Sequence, residues 1–130
     1  MKHVNPESLP PPRGFNHGML SAPGGRVLFV AGQVAMDGEG KIAGGFTEQF
    51  ARALDNVLAV VHEAGGRAEQ IGRMTVYVTD LAEYRSVRRE LKEIWQRRFH
   101  RHYPAMALVE VNGLVDEGAL VEIEATAVLA

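Results

Sequence analysis

The segment Leu120–Val128 alternates without interruption, and it constrains this chain more than any other feature. Val121, Ile123, Ala125 and Ala127 fall on one side; Glu122, Glu124 and Thr126 fall on the other. Successive side chains of a strand point to opposite faces, so the segment predicts a strand with one buried and one polar face. Ile71–Thr79 repeats the pattern, with Met74, Val76 and Val78 opposed to Arg73, Thr75, Tyr77 and Thr79. Met106–Asn112 alternates as well, with Ala107, Val109 and Val111 on one face. Arg26–Ala35 holds the apolar run Val27–Val30 behind a Gly24-Gly25 turn signal, and Leu20–Ala22 is its candidate hairpin partner.

Two segments have helical period. Phe46, Phe50, Leu54, Val57, Leu58 and Val61 recur at spacings of three and four, and Gly65-Gly66 is placed to stop that helix. A second helix is predicted from Leu81 to Phe99 on the stripe Tyr84, Val87, Leu91, Ile94 and Trp95, with Asp80 and Glu83 as a capping box. Pro104 prevents its continuation. The expected order is β-β-α-β-α-β-β, an α+β subunit with both helices on one face of a mixed sheet. The other face is expected to carry Met106, Leu108 and Glu110 beside Glu122, Glu124, Thr75 and Tyr77. Apolar side chains on an uncovered face point to a partner chain, a homo-oligomer with its sheets turned inward.

At 130 residues the chain is expected to be one domain, 14–130, behind an extended arm, 1–13, that contains Pro6, Pro10, Pro11 and Pro12. The 14 Lys and Arg are balanced by 16 Asp and Glu, which argues against a dedicated nucleic-acid binder. With no cysteine, disulfides, thiolate nucleophiles and cysteine-bound metals are excluded. His100 and His102 have no third ligand nearby and read as loop or helix-end residues. Gly38, Gly40 and Gly44 miss the dinucleotide-loop spacing and lack a parallel βαβ context. No apolar run reaches the roughly 20 residues of a membrane span, and no signal-like segment opens the sequence, so a cytoplasmic protein is expected.

Several short motifs, in order, resemble the RidA/YjgF family of small trimeric proteins. They are Val30-Ala31-Gly32-Gln33, Leu54-Asp55-Asn56-Val57, Glu63-Ala64-Gly65-Gly66 and Thr75-Val76-Tyr77-Val78. Tyr103-Pro104-Ala105, Val109-Glu110-Val111 and Val121-Glu122-Ile123-Glu124-Ala125 follow. The likeness runs over residues 4–129. It implies a chorismate-mutase-like subunit, a trimer built around a central barrel, and a ligand cleft at each subunit interface. It also implies a cofactor-free hydrolase, a deaminase that converts enamines and imines of amino acids to a ketoacid and ammonia.

That chemistry asks for a cation to hold the substrate carboxylate and a carboxylate to activate water. The resemblance carries the water-activating glutamate to Glu122. It carries the cleft arginine to the position after Pro104-Ala105, where this chain has Met106. The cleft serine falls at Ala31, before Gly32 and Gln33, the early-loop tyrosine at Asn16 or His17, and a cleft asparagine at Arg88. The expected site is therefore Glu122 with Met106, Leu108, Arg88, Asn16, His17, Ala31, Gly32 and Gln33. Loss of a desolvated Arg–carboxylate contact costs about 2–5 kcal/mol of binding. An altered substrate follows, unless Arg88 replaces the charge; an apolar Met106 suits a larger ligand.

Two other classes stay open at this point. One is a trimer that binds a small metabolite in the same clefts without turnover. The other, weaker, is an RNA-binding, endoribonuclease-type or chaperone-like protein that uses the basic helix. Seven of the 14 basic residues lie between Arg85 and Arg101, where Arg85, Arg88, Arg89 and Lys92 form a stripe that also reads as a solvated face. Tyr77 is a lone aromatic on the sheet, and RNA recognition calls for several.

Overall fold

The computed structural model describes residues 1–130. Its element order is β1 (Lys2–Val4), β2 (Gly18–Leu20), β3 (Arg26–Gln33), α1 (Phe46–Glu63), β4 (Ile71–Val78), α2 (Leu81–Ser86), α3 (Arg88–Phe99), β5 (Ala105–Glu110) and β6 (Val121–Leu129). A four-stranded mixed sheet runs β3-β6-β4-β5, with β6 antiparallel to both neighbours and β4 parallel to β5. The α+β class and the helices packed on one sheet face agree with the sequence reading.

Alternation builds the core. On β6, Val121, Ile123, Ala125, Ala127 and Leu129 are buried, while the residues between them are half-buried. Met74, Val76 and Val78 of β4 join them, and α1 covers this layer with Phe46, Phe50, Ala53, Leu54, Val57, Leu58 and Val61. Full burial of each large side chain contributes about 1.5–3 kcal/mol. The helix ends as its glycines predict: Gly65 has φ +84°, its N–H donates to the His62 carbonyl, and the Gly66 N–H donates to the Val61 carbonyl. That is a Schellman closure, and it satisfies two carbonyls that the last turn leaves without partners.

Polar side chains from α1 pin the loops. Gln49 is buried; its amide donates to the carbonyls of Gly44 (3.1 Å) and Gly118 (3.0 Å), and its oxygen accepts from the Leu120 N–H (2.9 Å). Asn56 donates to the carbonyls of Val34 and Met36, both at 2.9 Å. One side chain thus joins the start of α1 to the entry of β6, and the other holds the loop that follows β3.

Four expectations need correction. Leu20 does not pair with β3: β2 pairs with β1, so part of the proline-rich arm is a strand with its own partner. The second helix is two helices, broken at Val87 (φ −119°, ψ 21°), where no side chain caps α3. The capping box at Asp80 is half formed: Asp80 accepts from the Glu83 N–H, and Glu110 accepts from the Leu81 N–H. The face assignment of β5 is reversed. Met106 stands beside Met74 and Leu108 beside Val76, so both lie on the helix face, not with Glu122. Alternation fixes which residues share a face but not which face that is, and Ala107, Val109 and Val111 read equally well as the buried set.

The uncovered face carries Phe29 (80% exposed), Val27 (55%) and Val109 (42%) around a polar centre of Thr75, Tyr77, Glu122 and Glu124. The Tyr77 hydroxyl donates to Glu124, a diagonal neighbour across the β4–β6 ladder. This bond, then burial and the nearby negative charge of Glu124, raise the Tyr77 pKa above its ordinary value of 10.

Two expectations follow. Gln49→Leu strips three backbone groups of their partner and lowers stability by about 2–3 kcal/mol, read from denaturant midpoints. Because the folded-state pKa of Tyr77 is raised, its bond to Glu124 stabilises the fold fully below the unfolded-state value, and the contribution fades as pH rises through the folded-state value. The stability gap between the natural chain and Tyr77→Phe is therefore constant from neutral pH to about 10 and shrinks above it, measured by denaturation along a pH series.

Candidate functional site

The expected site residues fall into two groups on opposite faces of the sheet, with a third group below the early loop. On the uncovered face, β3 carries a bulge between Val30 and Gln33. The bulge brings the backbone of Gly32 against Glu122: a Cβ at Gly32 would lie 2.8 Å from the Glu122 carboxyl carbon and from one of its oxygens. Only glycine allows the carboxylate to rest there. Ala31 is exposed, and its carbonyl accepts from the side chain of Gln33 at 3.1 Å. Of the two face carboxylates, Glu124 is engaged by Tyr77, whereas Glu122 is half-buried on its glycine ledge.

On the helix face lies a cavity of about 970 Å³, bounded by α1, β4, α2, α3, β5 and the loops before β2 and β5. Met106, Leu108 and Arg88 line it together. Its inner wall is apolar, with Phe50, Val76, Leu91 and Trp95 buried and Phe15, Tyr84, Tyr103, Met106 and Leu108 half-buried. Trp95 is held by stacking on Phe99 (4.1 Å between centroids) and Tyr103 (5.9 Å), and its indole N–H donates to the His102 carbonyl. The exposed lining is cationic: Arg13, Arg88, Arg89 and Lys92. Arg88 lies over the Tyr84 ring at 6.0 Å. The basic stripe of the second helix, open to reading as a solvated face, therefore faces this cavity at three of its four positions.

Asn16 and His17 do not line the cavity. Asn16 is buried, donates to the Tyr103 carbonyl at 2.6 Å, accepts from Asn5 at 2.8 Å, and bridges to Ala105 at the start of β5. The His17 ring bonds the Pro10 carbonyl at 2.8 Å and meets Phe15 edge-on. Together they tie the arm and early loop to the sheet. Phe15, one residue before Asn16, is the aromatic side chain of this loop that lines the cavity. Trp95 and Tyr84 were legible only as members of an apolar helical stripe; nothing in their spacing separates a cavity wall from a core. No group of three or more His, Asp or Glu side chains is arranged to hold a metal, and His102 is engaged by the Ile71 carbonyl at 2.7 Å. No helix is long and apolar enough to cross a membrane.

Known proteins resemble this chain in sequence and fold. A family model described as Endoribonuclease L-PSP matches residues 7–129. A RutC family protein of Pyrococcus abyssi is 35% identical over 105 residues, covering 79% of each chain. The human 2-iminobutanoate/2-iminopropanoate deaminase is 30% identical over 105 residues, covering 79% of this chain and 73% of its own. Among solved structures, a Rid family protein of unknown function, YyfB of Yersinia pestis, superposes with a TM-score of 0.84 at 30% identity over 98% of both chains. Escherichia coli TdcF with bound serine superposes with a TM-score of 0.72 at 28% identity over the full length of both. The mixed sheet, its two packed helices and these matches over nearly the whole sequence lead to one conclusion: this chain belongs to the RidA/YjgF family.

Proposed function

We propose that this protein hydrolyses 2-imino or enamine acids in clefts formed between copies of the chain, with Glu122 of one copy facing the cavity of the next. The observation that carries the reading is the Glu122 ledge: a half-buried carboxylate seated on Gly32, on a sheet face whose Phe29 and Val27 stand exposed. Exposed apolar side chains of that size favour burial against another copy, and the family resemblance implies three copies. The name of the human relative supports the reaction class.

In the reaction, Glu122 takes a proton from water as the oxygen attacks the imine carbon. That proton passes to the imine nitrogen to give a neutral carbinolamine, and its hydroxyl proton is then carried by Glu122 to the amino group as the C–N bond breaks, the C=O forms and NH₃ leaves. The sum is R–C(=NH)–COO⁻ plus H₂O to R–CO–COO⁻ plus NH₃, with no oxidant and no electron transfer. Gly32 keeps the carboxylate where it can reach the water. Met106 cannot pair with the substrate carboxylate, so that charge falls to the arginines of the cavity mouth.

A second reading, ligand binding without turnover, is favoured by the apolar Met106 and Ala31 and by the serine bound in TdcF. An RNA-directed activity, the third reading, rests on the basic helix and on the description of the family model, and the balance of 14 basic against 16 acidic residues counts against it.

Ammonia release from freshly generated imines, followed with a coupled assay, tests the proposal. Glu122→Gln lowers kcat by about 10²–10⁴-fold while the oligomer persists. Gly32→Ala displaces the carboxylate and lowers kcat by up to about 10²-fold with KM little changed. Met106→Arg lowers KM for 2-iminopropanoate at least tenfold, about 1.4 kcal/mol. Turnover unaffected by Glu122→Gln overturns the assignment. Saturable binding without ammonia release establishes the second reading.

A further inference from the structure

The helix-face cavity sorts its lining by depth. Leu91 and Trp95 are buried, Met106 and Leu108 are half-buried, and the exposed lining is Arg88, Arg89 and Lys92, with Arg13 contributed by the early loop. The two ion pairs of the chain, Lys41–Glu39 and Arg98–Asp55, involve none of these four cations.

Two of them also stand where a helix tolerates a cation least. Arg88 and Arg89 are the first two residues of α3, and no side chain caps that end. The partial positive charge of a helix N-terminus disfavours cations there. Glu90 stands in the same turn, but no ion pair joins it to either arginine, so both guanidinium groups are open to an anion at the cavity mouth. The size of the cavity adds a separate constraint. About 970 Å³ is the upper part of the range that encloses ligands of drug-like size, and a three-carbon acid leaves most of it unfilled.

We infer that this cavity takes a carboxylate with a ring-sized apolar body. The body lies against Met106, Leu108 and Trp95, and the carboxylate lies at the mouth among Arg88, Arg89 and Lys92. The inference rests on the proposed function for its reaction, since it names the substrate class as aryl-bearing or similarly bulky 2-imino acids. The binding claim is separable from that reaction. The polarity is the reverse of a clamp at position 106, which would hold the charge beside β5 and leave the apolar body to project outward.

Trp95 is the only tryptophan of the chain, so its emission reports on the cavity wall directly. The experiment titrates the full-length protein with 3-phenylpropanoate, propanoate and 3-phenylpropan-1-ol, which carry ring and charge, charge alone, and ring alone. The expected result is a saturable emission change with 3-phenylpropanoate, at a Kd at least tenfold below that of either other probe. Arg88→Gln and Lys92→Gln, both at exposed positions, each raise that Kd at least threefold, and added salt raises it further. Equal affinity for propanoate removes the apolar half of the inference, equal affinity for the alcohol removes the cationic half, and the absence of a saturable change overturns it. Binding of 3-phenylpropanoate without imine turnover rejects the reaction and keeps the cavity assignment. Turnover of 2-iminopropanoate without binding of 3-phenylpropanoate does the reverse.

Discussion

The strict two-residue period of β6 is the constraint on which the rest depends. Its odd-numbered residues from Val121 to Leu129 are buried beneath α1, and its even-numbered residues must then face away. Glu122 and Glu124 owe their position to the burial of Ile123 and its neighbours. A slip of one residue would bury two carboxylates and expose the apolar set, which no rearrangement of side chains could offset. The core therefore fixes the register, and the register fixes where the acid stands.

The helix face meets a different demand. Only α1 and α3 supply large apolar surfaces to it, and together they do not close over β5. What is left between β5, α2 and α3 is the cavity. The break at Val87 belongs to the same geometry, since it starts a new helix at Arg88 and sets a fresh row of side chains along the opening. The separation of Glu122 from Met106 by the thickness of the sheet means that neither face alone joins the acid to the cavity.

Much of this was legible in the sequence. The stripe Phe46–Val61 and the Gly65-Gly66 stop found α1 to within a residue, because packing, propensity and capping agree there. The four main-sheet strands were found for the same reason. The side of β5 was not legible: Ala107, Val109 and Val111 make as plausible a buried set as Met106 and Leu108, and only the parallel pairing with β4 decides between them. The pairing of β1 with β2 was hidden by prolines, which read as an arm without partners. Phe15 was missed beside Asn16 and His17 because a loop has no period to say which of three adjacent side chains turns inward. The resemblance supplied Glu122 and Gly32 as members of one expected site, and the bulge explains both their contact and why the second of them is a glycine.

That bulge has a bearing on association as well as on chemistry. β3 lies at one margin of the sheet and β5 at the other, and each margin has a row of backbone groups open to a foreign strand. At β5 the row is short, and Asn16 already occupies its first position through the bridge to Ala105. At β3 the irregularity at Ala31-Gly32 interrupts the row partway along an eight-residue strand, so an incoming strand cannot keep register over its length. The same displaced backbone that seats a carboxylate on one face thus protects the sheet from amyloid-like extension along its edge.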